Sequence, residues 1–199
     1  SKKLVNWDTV LRTAISDLEV DQREINSKLY YIKYNVENSS NYICIATTRP
    51  ETMLGDTAIA VNPNDERYKN FVGKFAVLPI VGRKIQIIHD EYADPKQGTG
   101  AVKITPAHDF NDFQIGKRHK LKMINILTVD GKINENAPSK YSGMDRFEAR
   151  KKILEELTDL NILEKIEKIK NKVPFGDRSN SIIEPYLTEQ WFVDAKKLS

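Results

Sequence analysis

Residues 28–34, Lys28-Leu29-Tyr30-Tyr31-Ile32-Lys33-Tyr34, are dense in aromatic and β-branched side chains and read as a strand. Asn38-Ser39-Ser40-Asn41 signals a turn, and residues 42–48 supply the returning strand of a hairpin. Further short strand patterns fall at 57–61, 75–78, 84–88, 101–105 and 123–127. Asn62-Pro63-Asn64-Asp65 stops the first of these and leads into a short helix expected at 66–70; Asp130-Gly131 marks another turn. One longer helix opens near Asp109. The clearest runs from Arg146 to about residue 161, with Asp145 as cap and Glu148 completing a box-like signal. Ile153, Leu157 and Leu160 form its apolar stripe, widened by Phe147 and Leu154, and this face is expected to pack on the sheet. Residues 6–19 have a mixed pattern with room for a short helix. The tail, 173–199, again reads as strand and turn, with a last apolar group at Gln190-Trp191-Phe192-Val193. Many short strands joined by Gly/Pro turns, without steady strand–helix alternation, predict a strand-rich mixed α/β domain built on a barrel or compact antiparallel sheet.

Composition narrows the class. The 199 residues are 40% hydrophobic and 30% charged, which suits one soluble domain with appended arms. No segment has the length and apolarity of a membrane span, and Ser1 to Asp8 lack the apolar stretch of a signal peptide. The single cysteine, Cys44, lies in an apolar run and reads as a small packed side chain. A reducing compartment, the cytoplasm, is the expected location. The formal charge of +3 permits a nucleic-acid partner without establishing one. Lysines crowd residues 165–172, where phosphate attraction competes with an ordinary solvated face because glutamate interrupts the run.

Two polar constellations could carry chemistry. The first is Thr47-Thr48-Arg49-Pro50-Glu51-Thr52-Met53-Leu54-Gly55-Asp56-Thr57, at a strand end: Thr47, Thr48 and Thr52 offer hydroxyls for hydrogen bonding and Arg49 a guanidinium suited to a phosphate or carboxylate. A capped turn with a structural ion pair explains the same residues. The second runs from Gly98-Thr99-Gly100 through Lys103 and Thr105, which alternation puts on one strand face, to Pro106 and His108-Asp109-Phe110-Asn111-Asp112-Phe113. Asp109 is the expected helix cap, Asp112 the third helical position, and Phe110 and Phe113 the core anchors. The glycines match no phosphate-loop or dinucleotide fingerprint and read as a tight turn. No Gly-x-Ser-x-Gly elbow occurs and Cys44 has no neighbouring base, so water is the nucleophile expected of any hydrolase here. His89, His108, Asp109, Asp112 and His119 do not have metal-ligand spacing, and no metal site is expected; His119 reads as a helix C-terminal residue meeting last-turn carbonyls. A metallophosphohydrolase, a non-catalytic RNA-binding module and a spacer domain stay open on these residues alone.

Both constellations, in this order and separation, resemble the editing domain inserted in the class I aminoacyl-tRNA synthetases for valine, isoleucine and leucine. Met53-Leu54-Gly55-Asp56-Thr57-Ala58, Lys103-Ile104-Thr105-Pro106-Ala107-His108-Asp109 and Ile183-Glu184-Pro185 are similar to the valyl-tRNA synthetase branch. The resemblance covers nearly the whole chain. It implies an antiparallel β-barrel-like editing core surrounded by helices, with 28–171 as the core and 1–27 and 172–199 as arms toward a catalytic domain. Some relatives carry a zinc-binding cysteine near position 176, where Gly176 stands here. Neither class I activation signature occurs, so ATP and magnesium are implied for the parent synthetase only and no cofactor for the editing domain.

The activity implied is hydrolysis of threonine from mischarged tRNA(Val), because a pocket made for valine rejects its isostere threonine poorly. The resemblance assigns Asp112 to the substrate α-ammonium and Thr48 to the ribose end or the water. Lys103 falls to the adenosine or ester region and Thr105 to the substrate hydroxyl. Thr47, Arg49, Glu51, Thr52 and His108 complete the expected binding set. The implied partners are the threonine-bearing 3′ end of tRNA(Val) and the catalytic domain of the parent chain; the chain itself is expected to be monomeric and away from membranes.

Overall fold

A computed structural model describes residues 1–189. Its strands are β1 (Lys2–Asp8), β2 (Thr13–Ile15), β3 (Val20–Val36), β4 (Tyr42–Thr47), β5 (Ala58–Val61), β6 (Phe75–Val77), β7 (Lys84–His89), β8 (Ala101–Ile104), β9 (Leu163–Gly176) and β10 (Glu184–Glu189). The α-helices are α1 (Phe110–Arg118) and α2 (Arg146–Asp159). No helix among the described residues is long and apolar enough to cross a membrane.

The larger sheet has the order β4-β3-β6-β7-β5-β8, with β9 also paired to β3. It curls into an open half-barrel until β8 lies alongside β4. Thr99 Oγ1 ties the two edges by donating to the Cys44 carbonyl at 2.5 Å. All pairings are antiparallel except β5 with β7. Ile32, Ile45, Ile59 and Ile87, from alternating strand positions, fill the interior with Leu78, which follows β6. The turn into β8 needs glycine at position 100: its φ is +82°, and a Cβ there would lie 2.5 Å from Arg67 Nη2.

β3 serves two structures. Its second half joins the barrel, whereas its first half pairs with β9 along a long two-stranded ribbon from Val20↔Gly176 to Leu29↔Glu167. At the far end of that ribbon, β10, β1 and β2 form a separate three-stranded sheet. The helix expected within 6–19 is therefore replaced by β1, β2 and a 3-10 turn, Asp17–Glu19. The deciding partner is β10, nearly the whole chain away, which supplies the ladder for Lys2 to Trp7.

Other departures have local causes. Residues 123–127 make only the isolated bridge Leu127↔Ile133. Side chains occupy the amides a ladder would use: Ile126 N–H donates to His108 Nε2 and Leu127 N–H to Asn125 Oδ1. The expected helix at 66–70 is a 3-10 turn, Glu66–Tyr68. Asp145 caps α2 by accepting from Phe147 N–H. Ala149, Ile153 and Leu157 bury its face against the 3-10 helix Pro50–Gly55 and β9, while Leu160 is exposed. Phe113 is buried, but Phe110 is 44% exposed and is no core anchor. His119 is the residue after α1, as expected, yet its ring meets Asp90 Oδ2 at 2.9 Å in place of backbone carbonyls. Cys44 is half-buried, and burial pushes its thiol up to about 12, so it stays protonated and unreactive. Trp191 and Phe192 lie outside the described residues.

Candidate functional site

β4 carries the chain into Thr47-Thr48-Arg49, and Pro50 then opens the 3-10 helix Pro50–Gly55, buried throughout. Thr47 Oγ1 accepts the Arg49 amide at 3.0 Å, and Thr52 Oγ1 donates to the Arg49 carbonyl at 3.0 Å. The second segment arrives from β8. Asp109 caps α1 by accepting the Asp112 amide at 2.9 Å. Asp112 Oδ2 in turn accepts the Thr105 amide at 2.9 Å, which fastens the helix start to the strand end.

Together these segments enclose a cavity of about 250 Å³. Thr47, Thr48, Arg49, Thr52, Lys103, Thr105, His108, Asp109 and Asp112 line it, with Leu29, Ala46, Tyr92 and Val102. Beneath it lies a closed network. Lys103 Nζ donates to Thr52 Oγ1 at 2.8 Å and to Thr105 Oγ1, and is 2.9 Å from Asp56 Oδ1. An ammonium has three donors, so Lys103 is saturated and acts as a fixed charge in the cavity wall. Thr105 Oγ1 spends its only hydrogen on Asp56 Oδ1, at 2.6 Å. One lone pair of that oxygen remains to accept from a ligand hydroxyl. Asp56 Oδ2 accepts from Tyr34 Oη at 2.7 Å, deep in the barrel.

Three expected site residues are held by protein partners. Glu51 is buried and points away from the cavity, where Arg150 grips both its oxygens at 2.7 and 2.9 Å. Arg49 lines the cavity, yet it donates to the His108 carbonyl at 2.7 Å and to Glu184 Oε2. Burial opposes its charge, but Glu184 and Glu51 outweigh that and hold its pKa above the ordinary value. Burial, with the Arg49 and Lys103 charges, drives His108 well below its usual pKa. Its Nε2 accepts the Ile126 amide at 3.0 Å, so the proton of the neutral ring sits on Nδ1, which has no described partner.

A larger cleft of about 380 Å³ adjoins the cavity and shares Thr48, Arg49, His108 and Asp109 with it. Its far wall includes Ile25, Ser27, Asn171 and Val173 of the ribbon, and Glu184 and Pro185 of β10.

The family model described as "Leucyl-tRNA synthetase, editing domain" matches residues 65–173. The chain belongs to the editing-domain family of the class I aminoacyl-tRNA synthetases, in its valyl branch. A valine–tRNA ligase of Pelagibacter ubique is 73% identical over 198 residues, covering 100% of this chain and 23% of the relative. Those of Caulobacter vibrioides and Dechloromonas aromatica are 54% and 57% identical, covering 100% and 98% of this chain and 24% and 21% of the relatives. The chain thus spans about a quarter of the length of these relatives. Among solved structures, the agnB2 LeuRS of Agrobacterium radiobacter K84, in a ternary complex with tRNA and LeuAMS, shares the fold with a TM-score of 0.54. That match is 20% identical and covers 75% of this chain and 20% of the other.

In this editing domain the titratable centre is Asp112. Burial, then the neighbouring Asp109 charge, raises its carboxyl to about 7, against the opposing pull of Lys103 and the Thr105 amide. Its Oδ1 accepts no hydrogen bond from a described residue and is the open acceptor of the cavity. Burial also raises Asp56, while Lys103 and the Thr105 and Tyr34 hydroxyls pull it back down. Asp56 belongs to the first polar stretch but has no expected role there, because nothing local separates it from any turn aspartate; Gly55-Asp56 reads equally as a breaker between elements. Asp109, expected only as a cap, is both a cap and a wall of the cavity. No three His, Cys, Asp or Glu side chains among the described residues converge in metal-binding geometry.

Proposed function

We propose that this editing domain hydrolyses the ester of threonine mischarged on tRNA(Val), with water as nucleophile. The observation that carries this reading is the pairing, in one small cavity, of an open carboxylate oxygen on Asp112 with a hydroxyl acceptor on Thr105. An aminoacyl ester presents an α-ammonium, and the ionised Asp112 binds it by a charge-assisted hydrogen bond. The threonine β-hydroxyl donates to the free lone pair of Thr105. Valine has no hydrogen to offer there and forgoes that hydrogen bond.

Lys103 provides a fixed positive field beside the position where the ester carbonyl develops negative charge. Water adds to the carbonyl carbon, the bond to the ribose oxygen breaks, and the proton lost by water ends on that ribose hydroxyl. Thr48, which lines both cavity and cleft, orients the water or the ribose in this reading. The adjoining cleft takes the terminal adenosine. Thr47, Arg49, Thr52, Glu51 and His108 shape these walls, Glu51 through Arg150.

The whole protein is proposed to be a valine–tRNA ligase that uses ATP and magnesium outside this domain. The segments 1–27 and 172–199 are proposed as arms to its catalytic part. The deciding experiment compares deacylation of threonyl-tRNA(Val) with valyl-tRNA(Val) by the chain. Faster release of threonine is expected; equal rates, or none for threonine, would refute the assignment.

A further inference from the structure

The β3–β9 ribbon sorts its charges by face. Antiparallel pairing puts directly opposed residues on the same side. Lys28↔Lys168, Asn26↔Lys170 and Glu24↔Lys172 are opposed pairs, and all six residues are exposed. The intervening positions, among them Ile25, Ser27, Ile169 and Asn171, are half-buried, and Ile25, Ser27 and Asn171 line the cleft. Glu167, which interrupts the lysine run in sequence, points to that other face, where it accepts from Tyr31 Oη and sits 3.5 Å from Lys165. The outer face therefore carries four lysines against one glutamate. None of the four makes an ion pair with a carboxylate among the described residues.

Two features of this face ask for an external anion. Lys28 and Lys168 stand directly opposite one another, and like charges in that register repel. A hollow between them, lined by Asn26, Ser27, Lys28, Lys168, Ile169 and Lys170, has no acidic residue. Lysines two apart on a strand repeat at about 6.6–6.8 Å, which makes an evenly spaced row of point charges rather than a single focused site. A row of cations with no stacking aromatic matches a charged polymer backbone.

We propose that this outer ribbon face docks the phosphate backbone of the tRNA body while the ribbon's other face borders the cleft of the editing site. The inference rests on the reading of the chain as a domain that acts on tRNA and assigns a surface to that partner.

The test is fluorescence anisotropy of the chain with labelled, uncharged tRNA(Val) transcript from 50 to 200 mM KCl. K168E/K170E is expected to bind at least 10-fold more weakly at about 100 mM salt and to flatten the slope of log K against log[KCl] by about 1.4–1.8, for two lost phosphate contacts. K168Q/K170Q should show a similar loss of slope and keep the parental melting temperature, which excludes misfolding. K69E/K74E, at two lysines exposed elsewhere, should change neither slope nor affinity beyond the small effect of net charge. A parental slope in both ribbon variants, or an equal loss in K69E/K74E, overturns the proposal. Hydrolysis of threonyl-adenosine, a substrate without an RNA body, should be unaffected by the ribbon variants. If the parent cleaves no such ester but its tRNA binding loses slope in the ribbon variants, the hydrolase reading fails and the docking surface stands. If the parent cleaves that ester but the slope is unchanged in the ribbon variants, the hydrolase reading stands and the docking surface fails.

Discussion

Asp56 Oδ1 lies 2.9 Å from Lys103 Nζ, and both side chains are withdrawn from solvent. The pair also fixes the Thr105 hydroxyl, which donates to the same carboxylate oxygen. Breaking a buried pair by removing one partner leaves the other charge uncompensated, at about 3–5 kcal/mol. Asp56→Asn is therefore expected to lower stability by that order and to abolish threonine selectivity. Adding Lys103→Met should restore much of the stability without restoring deacylation, since no lone buried charge then remains. Denaturant titration of the single and double variants checks this; a double variant no more stable than Asp56→Asn would contradict it.

Asp112→Ala removes the open acceptor. A hydrogen bond to a charged group contributes about 1.5–3 kcal/mol, so deacylation should fall roughly 10- to 150-fold. Asp109→Ala removes the cap and should cost about 1 kcal/mol of stability. Melting and threonyl-tRNA deacylation, measured on both variants, separate the two aspartates. A normal rate for Asp112→Ala would take it out of the site.

The raised Asp112 pKa gives a pH dependence with a definite sign. In the free enzyme the carboxylate that binds the ammonium forms as pH rises through about 7, so kcat/KM should rise across that point. Asp109 is the largest electrostatic contributor to the shift after burial. Asp109→Asn keeps a capping oxygen but removes that charge, and the rising limb should move to lower pH. An unmoved limb would show that another group titrates.

Stability follows the same linkage. Because the folded pKa of Asp112 is raised, its contribution is fully present below the unfolded value, 3.8, and is lost as pH rises through about 7. Asp112→Asn does not titrate. Its stability relative to the parent should climb between about pH 4 and pH 7 and level off above. Urea titrations at several pH values would reveal a flat difference if the assignment is wrong.

Thr105→Val should reduce release of threonine and leave the slower release of valine nearly unchanged. A lost neutral hydrogen bond of about 0.5–1.5 kcal/mol corresponds to roughly a 2- to 13-fold fall in the threonine-to-valine ratio. Thr105→Ser, which keeps the hydroxyl, should preserve it. A parental ratio in Thr105→Val would place hydroxyl recognition elsewhere.

By itself the sequence determined the parts whose causes are local. The β3–β4 hairpin follows from two aromatic and β-branched runs about a turn. The caps of α1 and α2 follow from Asp109 and Asp145, and the glycine turn into β8 follows from a backbone that must adopt φ +82° at Gly100. The alternation that puts Lys103 and Thr105 on one side of β8 is readable for the same reason, since the period of a strand is two. Tertiary structure alone decided what depends on partners distant in the chain. β1 is a strand because β10 reaches it, and residues 123–127 are irregular because the His108 ring takes the Ile126 amide. Glu51 and Arg49 look alike as polar residues at a strand end. Burial against Arg150 and Glu184 turns them from free groups into fixed ones. Asp56 gains its place beside Lys103 only when β5 and β8 align. In the lysine run, pairing with β3 separates Glu167 from Lys168 and Lys170, because a strand sends neighbours to opposite faces and the sequence does not say that a strand forms there.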